Sequence, residues 1–142
     1  MKSIAPYLNF NGKTEEAFNF YKSVFGGEFA SLQRFKDMPS QANVSANEKE
    51  QILHIALPLG NVGMLMGSDS PESMGMMVNF GNNVHIMIDT ESEQEAKRLY
   101  AALSAGGKAH MSLQKTFWGA LYANFTDRFG VQWMVNYGMT QK

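Results

Sequence analysis

The sequence contains no cysteine, which excludes disulfide bonds, thiolate metal sites and a cysteine nucleophile. It has no apolar run near the roughly 20 residues that a membrane-spanning helix requires. The formal net charge is only -1 and the basic residues are scattered, so a nucleic-acid-binding protein is not expected. The first residues enter a strand-like pattern without the apolar stretch of a signal peptide. We therefore expect a cytoplasmic protein that contacts neither membranes nor nucleic acids.

Methionine is the residue type that stands out, with 11 copies among 142 residues. A chain of this length can bury an apolar core without disulfide bonds or structural metals. Flexible thioether side chains fill irregular gaps in such a core, and they also line adaptable apolar pockets. Composition alone leaves both interpretations open.

The spacing of apolar residues predicts the same order of elements twice, a strand, a helix and three more strands. The strands predicted for the first half cover residues 4–10, 28–35, 51–57 and 62–68. Those predicted for the second half cover residues 83–89, 108–113, 118–126 and 131–137. A helix starting near Thr14 stops at Gly26-Gly27, and a second over residues 90–105 stops at Gly106-Gly107. We therefore expect an α+β fold of two β-α-β-β-β modules.

These patterns also predict the domain organisation. We expect one domain over residues 1–142, with module one at 1–70, a linker at 71–81 and module two at 82–142. A polar stretch over residues 36–50 is predicted to be a mobile loop.

The alternation within the strands predicts which side chains lie opposite the helices. Each helix must cover one face of its sheet, and the uniformly apolar side of each opening strand suits that contact. The other side carries aromatic residues, methionines, amides and histidines, the mixture expected of a partly apolar pocket with a few polar anchors. The residues predicted to bind a small molecule there are Tyr7, Asn9, Met66, Ser68, Met87, Trp118, Tyr122 and Met134.

Two histidines, His54 and His85, fall on this predicted face, one in each module, and are the candidate catalytic residues. The pKa of an unperturbed histidine lies near neutrality, so each could serve as a general base or a hydrogen-bond donor. The alternative is that both are structural histidines. His110 lies in a strand with no cluster around it and is predicted to be structural.

Three further residues are predicted to serve the fold. Trp133 falls on the helix-packing side of the last strand and is expected in the core. Asp69 and Asp127 lie at strand ends and are expected to set turns.

Several segments carry a family resemblance. The most specific are residues 116–120, Thr-Phe-Trp-Gly-Ala, and residues 127–133, and the opening segment 6–12 adds to them. With further matches along most of the chain, they resemble PhnB-like proteins of the vicinal oxygen chelate superfamily, which includes glyoxalases, bleomycin-resistance proteins and dioxygenases. The resemblance implies a curved mixed sheet around a cavity, helices on the outer face, and a homodimer.

The resemblance also bears on metal binding. Metal-dependent members hold one divalent ion with His, Gln or Glu at four strand positions, which fall near Ala5, Met66, His85 and Met134 in this chain. Open catalytic sites generally use three protein ligands, and thioethers do not suit such ions. Only His85 could be a ligand, so we expect neither a metal site nor another cofactor.

Some members of this branch carry a demethylubiquinone methyltransferase label. S-adenosylmethionine is usually bound by a glycine-rich turn between a strand and a helix, whereas residues 60–63 lie between two predicted strands. We therefore reject methyl transfer as the activity.

The function itself stays open among several hypotheses. The first is a metal-independent protein that binds a small molecule, with turnover by the histidines as one form of it. The second is a sequestering protein of the resistance type, and the third is a dimer whose cavity is vestigial. A metal-dependent lyase, isomerase or dioxygenase requires that the four ligand positions are misplaced.

Overall fold

The computed structural model describes residues 1–38, 44–75 and 77–138. Residues 39–43 of the predicted loop, residue 76 of the predicted linker and residues 139–142 of the predicted second module lie outside the described residues. The chain divides into two compact units, Met1–Asn79 and Phe80–Lys142. None of the helices in the described part is long and apolar enough to cross a membrane.

The first unit is a four-stranded mixed sheet with one helix. Helix α1 covers Thr14–Phe25, and the strands are β1 Tyr7–Phe10, β2 Ser31–Arg34, β3 Ile52–Leu59 and β4 Gly63–Asp69. The strand order is β1-β4-β3-β2, with β1 parallel to β4 and the other neighbours antiparallel. Single 3-10 turns cover Phe35–Asp37, Ala46–Glu48 and Glu72–Met74.

The second unit repeats this arrangement. Helix α2 covers Glu93–Ser104, and the strands are β5 Ile86–Asp89, β6 Lys108–Lys115, β7 Ala120–Thr126 and β8 Gln132–Gly138. The strand order is β5-β8-β7-β6, with β5 parallel to β8 and the other neighbours antiparallel. The predicted α+β fold with two β-α-β-β-β modules is confirmed.

In the first unit the helix packs on one face of the sheet. The buried residues of α1 recur at helical spacing and are Thr14, Ala17, Phe18, Tyr21 and Val24. A Cβ atom at Gly67 would lie 2.8 Å from the Phe18 ring and 2.8 Å from the Leu8 carbonyl oxygen, so only glycine permits this approach of helix to strand. The face of Gly67 is therefore the helix-packing face of the first sheet.

In the second unit α2 packs on β7 and β8. The Tyr100 ring meets the Phe125 ring edge-on, with centroids 5.6 Å apart. Trp133 is fully buried on the same face of the sheet, which confirms its predicted place in the core. The Ser92 hydroxyl accepts a hydrogen bond of 3.0 Å from the Glu95 backbone N–H and caps the first turn of α2.

Two buried aspartates connect elements within the units. Asp69 accepts hydrogen bonds from the Thr14 N–H and hydroxyl at 3.1 and 2.7 Å and from the Ile52 N–H at 2.9 Å. It therefore joins the starts of α1 and β3 to the end of β4, rather than setting a turn as predicted. Asp127 accepts from Phe129 and Val131, which confirms its predicted turn, and also from the Trp133 indole at 2.8 Å.

The ends of several strands differ from prediction. The predicted strand over 118–126 begins only at Ala120, because residues 116–119 form a turn closed by a hydrogen bond from Gly119 N–H to Thr116 O. Gly119 has a φ of 85°, which favours glycine. Trp118 consequently lies in a turn and not on a strand.

Candidate functional site

Each sheet has one face that its own helix does not cover, and we call it the open face of that unit. In the first unit, Leu8, Gly67 and Ile55 are aligned on the helix-packing face. Successive strand residues point to opposite faces, so their neighbours lie on the open face. The predicted ligand-binding residues that the structure places there in the first unit are Tyr7, Asn9, Met66 and Ser68.

A tyrosine–histidine pair occupies the open face of the first unit. The Tyr7 hydroxyl lies 3.2 Å from His54 Nδ1, and the two rings stack with centroids 5.8 Å apart and an interplanar angle of 25°. Tyr7 is exposed and His54 is half-buried, so a molecule in solvent can reach the pair. Beside it, the Ser68 hydroxyl donates to Asn9 Oδ1 at 3.2 Å.

The open face of the second unit carries three more of the predicted ligand-binding residues, Met87, Tyr122 and Met134. The parallel register aligns Met87 with Met134, and the antiparallel register aligns Tyr122 with Asn136. Asn136 Nδ2 donates to Asp89 Oδ1 at 2.9 Å. This face therefore combines thioethers, a phenol and amides, as the alternation predicted.

Trp118, the last of the predicted ligand-binding residues, lies close to this face although it is not on a strand. It lies in the turn before β7, half of its surface is exposed, and its ring is 6.2 Å from the Tyr122 ring in an edge-on arrangement. The neighbouring Phe117 ring contacts Trp118 edge-on at 5.0 Å. The turn thus brings an exposed aromatic pair beside the open face.

His85, the second candidate catalytic residue, belongs to the second unit. It precedes the first residue of β5 and is half-buried, while His54 belongs to the first unit. Among the described residues, no hydrogen bond or ion pair involves His85. Its predicted catalytic role stays a prediction.

His110 has a polar environment that the sequence did not reveal. Its Nε2 lies 2.7 Å from the Thr126 hydroxyl, and Thr126 is aligned with Gln132 on the open face of the second unit. One hydrogen bond to a threonine is compatible with the predicted structural role of His110, which stays a prediction. The register of β6 shifts between Ala109 and Met111, and only the strand pairing shows this contact.

A polar groove of about 390 Å³ lies elsewhere in the first unit. Its lining residues are Asn11, Gly12, Asn47, Glu48, Gln51, Ser70, Glu72 and Met77. None of the predicted ligand-binding residues is among them. The groove is formed by segments at the ends of strands and by the 3-10 turns, not by a sheet face.

Glu48 is the one buried carboxylate of this groove, and its oxygens serve the fold. It accepts hydrogen bonds from the Ser73 hydroxyl, from the Ser73 N–H at 3.2 Å and from the Ser45 N–H at 3.1 Å. The bond from the Ser73 hydroxyl is the largest cause that lowers the pKa of Glu48 to about 2, and the backbone donors add to it. The carboxylate therefore joins two 3-10 turns.

The side chains at the family's metal positions do not suit a divalent ion. Those positions fall near Ala5, Met66, His85 and Met134, and they supply one imidazole, two thioethers and a methyl group. In the described part of the chain, no three or more His, Asp or Glu side chains form a group that could hold a metal ion.

Comparison with known proteins gives consistent matches. The family model described as 3-demethylubiquinone-9 3-methyltransferase matches residues 2–136. Protein PA1353 from Pseudomonas aeruginosa is 38% identical, with 96% of this chain and 98% of that chain covered and a TM-score of 0.84. A PhnB protein from Bacillus cereus is 25% identical, with 96% and 99% covered and a TM-score of 0.78.

A more distant solved structure shares the fold alone. It is a glyoxalase/bleomycin resistance protein/dioxygenase family enzyme from Burkholderia phytofirmans PsJN, 16% identical, with 93% of this chain and 96% of that chain covered. Its TM-score of 0.60 indicates the same arrangement of strands and helices.

Proposed function

We propose that this chain, which belongs to the PhnB-like family of the vicinal oxygen chelate superfamily, binds a small organic molecule on the open faces of its sheets. The observation that carries the proposal is the exposure of large apolar side chains on or beside these faces. In the second unit Met87 is 59% exposed, Trp118 55% and Met111 40%, and in the first unit Tyr7 is 43% exposed. Apolar side chains grouped on the surface of one unit are typical of a binding site, and the amides among them supply polar anchors.

A substitution on the open face tests this proposal. Met87→Lys places a charge among the thioethers of the second unit, and we expect it to abolish stabilisation by uncharged aromatic fragments in a thermal-shift screen. Val62→Lys is the matched control, because Val62 is 88% exposed and follows the end of β3. Fragments that stabilise both variants equally, or no stabilising fragment for the wild type, contradict the proposal.

Metal independence is part of the same proposal. It is supported by the donor chemistry at the family's metal positions, where only His85 offers a suitable ligand atom. We propose no methyl transfer either, although the family description names that activity. Residues 60–62 connect β3 to β4, which begins at Gly63, so the glycine-rich stretch 60–63 does not form the turn between a strand and a helix that usually binds S-adenosylmethionine.

A second candidate function is proton transfer by His54, and the contact with Tyr7 favours it. The Tyr7 hydroxyl at 3.2 Å from Nδ1 can fix the tautomer and leave Nε2 to act on a substrate. His54→Asn and His85→Gln, tested singly and together on a metabolite mixture followed by mass spectrometry, distinguish turnover from sequestration. Turnover that is unchanged in the double variant contradicts this function and leaves binding without chemistry.

A homodimer in the cytoplasm completes the proposal. Strand β6, Lys108–Lys115, is an edge strand of eight residues and nearly all of them are exposed. Exposed strand edges favour pairing with another chain. Light scattering of the eluting peak during size-exclusion chromatography tests the dimer, and a monomer at micromolar concentration contradicts it. Cell fractionation tests the location.

A further inference from the structure

We infer that the open face of the second unit selects a ligand that carries at least two N–H or O–H donors, which pair with the side-chain oxygens of Asn124 and Gln132. The inference rests on the proposed function, because it names the ligand chemistry of one of the same faces. It does not involve the candidate histidines, and Met134, one of the family's metal positions, enters it only as an apolar neighbour.

The observation behind it is a pair of buried amide oxygens without partners. Asn124 Oδ1 and Gln132 Oε1 are both shielded from solvent, and neither has a hydrogen-bond partner among the described residues. Buried polar atoms in folded proteins are nearly always hydrogen-bonded, since an unpaired one loses its hydration without compensation. Two such oxygens on one face therefore require an explanation.

The strand register places these two amides side by side. Asn124 is aligned with Met134, and Thr126 with Gln132, so Asn124 and Gln132 are diagonal neighbours on the open face. Diagonal neighbours on a sheet lie close enough for one small molecule to contact both. The Thr126 hydroxyl beside them is already engaged by His110.

Flexible side chains flank the Asn124 amide on both sides. Met111 is its aligned neighbour on β6 and Met134 its aligned neighbour on β8. An unbranched thioether side chain can rotate aside at low cost and then pack on the ligand that replaces it.

The surroundings narrow the ligand class further. The two unpaired amide oxygens are neutral hydrogen-bond acceptors. Among the described residues aligned on this face, the one carboxylate is Asp89, and it already accepts from Asn136. A neutral donor group therefore fits better than an ammonium ion, which would favour a carboxylate partner. The thioethers and the Tyr122 ring suit an apolar or aromatic portion next to the donors.

Substitution by apolar side chains of similar shape separates a binding role from a folding role. In the full chain, Asn124→Leu and Gln132→Met remove the unpaired oxygens, together with one long hydrogen bond of 3.5 Å from Asn124 Nδ2 to the Tyr122 hydroxyl. We therefore expect the double variant to have a Tm equal to or above that of the wild type. Ser92→Ala is the control in the same unit, because the Ser92 hydroxyl is paired with the Glu95 N–H at the start of α2 and is not on the open face. We expect this control to lower the Tm by a few degrees.

The probes are phenylurea, which offers N–H donors beside a ring, and phenyl acetate, which has a similar shape and no donor. Binding is followed by ¹H–¹⁵N spectra that resolve the side-chain amides. We expect the wild type to bind phenylurea at least about tenfold more tightly than phenyl acetate, a difference typical of one paired buried group. The double variant should lose this preference, and Ser92→Ala should keep it.

Three outcomes overturn the inference. A double variant that is destabilised as much as Ser92→Ala shows that the amides serve the fold. Equal binding of the two probes to the wild type shows that donors are not selected, while the proposed binding function stands. Binding of neither probe at millimolar concentration to any variant overturns both the inference and the binding proposal for this face.

Discussion

At the scale of single residues, Asp69 shows how one buried carboxylate organises a unit. Its three hydrogen bonds satisfy donors at the first residues of α1 and β3. Asp69→Asn replaces one acceptor oxygen with an N–H₂ group that faces another donor. We expect a loss of about 2–4 kcal/mol in the free energy of unfolding, measured by urea denaturation.

The control for this substitution is Asp89→Asn. Asp89 is exposed and, within the described part of the chain, accepts only the Asn136 amide, so its replacement should cost less than about 1 kcal/mol. Equal losses at the two positions would show that the Asp69 contacts do not hold the strand and helix ends together.

Glu48 provides a prediction for pH dependence. Its pKa is lowered to about 2 in the folded chain, mainly by the Ser73 hydroxyl, whereas an unfolded chain has a glutamate pKa of about 4.3. Because the folded pKa is the lower one, the contribution of this group is complete above the unfolded pKa and is lost as the pH falls towards 2. Glu48→Gln should therefore flatten the stability profile between about pH 5 and pH 2.

The measurement is thermal unfolding across that pH range, with Glu16→Gln as the control on the exposed side of α1. The difference between wild type and Glu48→Gln should be largest near neutral pH and should shrink at low pH. A difference that grows as the pH falls has the wrong sign and rejects the assigned hydrogen bonds.

Residue positions could be predicted where strand alternation is regular. Tyr7 and Met66 share the open face because β1 and β4 pair without a shift. His110 could not be placed, since its contact with Thr126 depends on a register shift in β6. Trp118 reaches the Tyr122 ring from a turn, which period-two alternation does not describe.

At the scale of elements, Gly67 controls the distance between α1 and β4. A Cβ atom there would lie 2.8 Å from both the Phe18 ring and a backbone oxygen, below any normal contact. Gly67→Ala should displace α1 and lower the free energy of unfolding by about 1–3 kcal/mol, the usual cost of overpacking a core. Urea denaturation measures the loss.

Gly63→Ala is the matched control on the same strand. Its added Cβ would meet only a Leu59 methyl group at 3.9 Å, which is an ordinary contact. We expect a change within about 0.5 kcal/mol for this exposed position. If both alanines cost the same, the loss reflects strand propensity and not the approach of the helix.

Element order could be predicted but element ends could not, for one physical reason. The periods of 2 and 3.6 are local, whereas a strand extends only as far as its partner. The predicted opening strands began at residues 4 and 83, but β1 and β5 begin at Tyr7 and Ile86, where pairing with β4 and β8 starts. Ile4 and Val84, outside the paired segments, are 86% and 72% exposed.

At the scale of the whole molecule, the repeated order of elements in the sequence identified the fold. The proposed ligand chemistry instead rests on the strand pairing and on which side-chain amides lack a hydrogen-bond partner. The sequence showed amides on the open face but not that two of their oxygens are unpaired. The polar groove of the first unit was likewise not predicted, because segments distant in sequence form it. Such features depend on tertiary contacts, which no local pattern encodes.

A metal titration of the whole chain tests the proposed metal independence. Nickel, zinc and manganese should each leave the thermal unfolding midpoint unchanged, because one imidazole among thioethers is a poor site for these ions. A specific ion at 100 times its dissociation constant would stabilise the fold by about 2.7 kcal/mol, a shift of several degrees. Elemental analysis of protein purified without added metal should find no stoichiometric ion.

The variant His85→Leu, which has no donor atom at this position, makes this test decisive. A large shift that His85→Leu removes would show that His85 is a ligand and that the other three positions are misplaced. The chain would then be a metal-dependent member of the superfamily. A shift that persists in His85→Leu would place the ion outside the family's positions. If neither protein shows a shift, the proposal stands that the open faces, which offer few metal ligands, bind an organic ligand through amides, aromatic rings and thioethers.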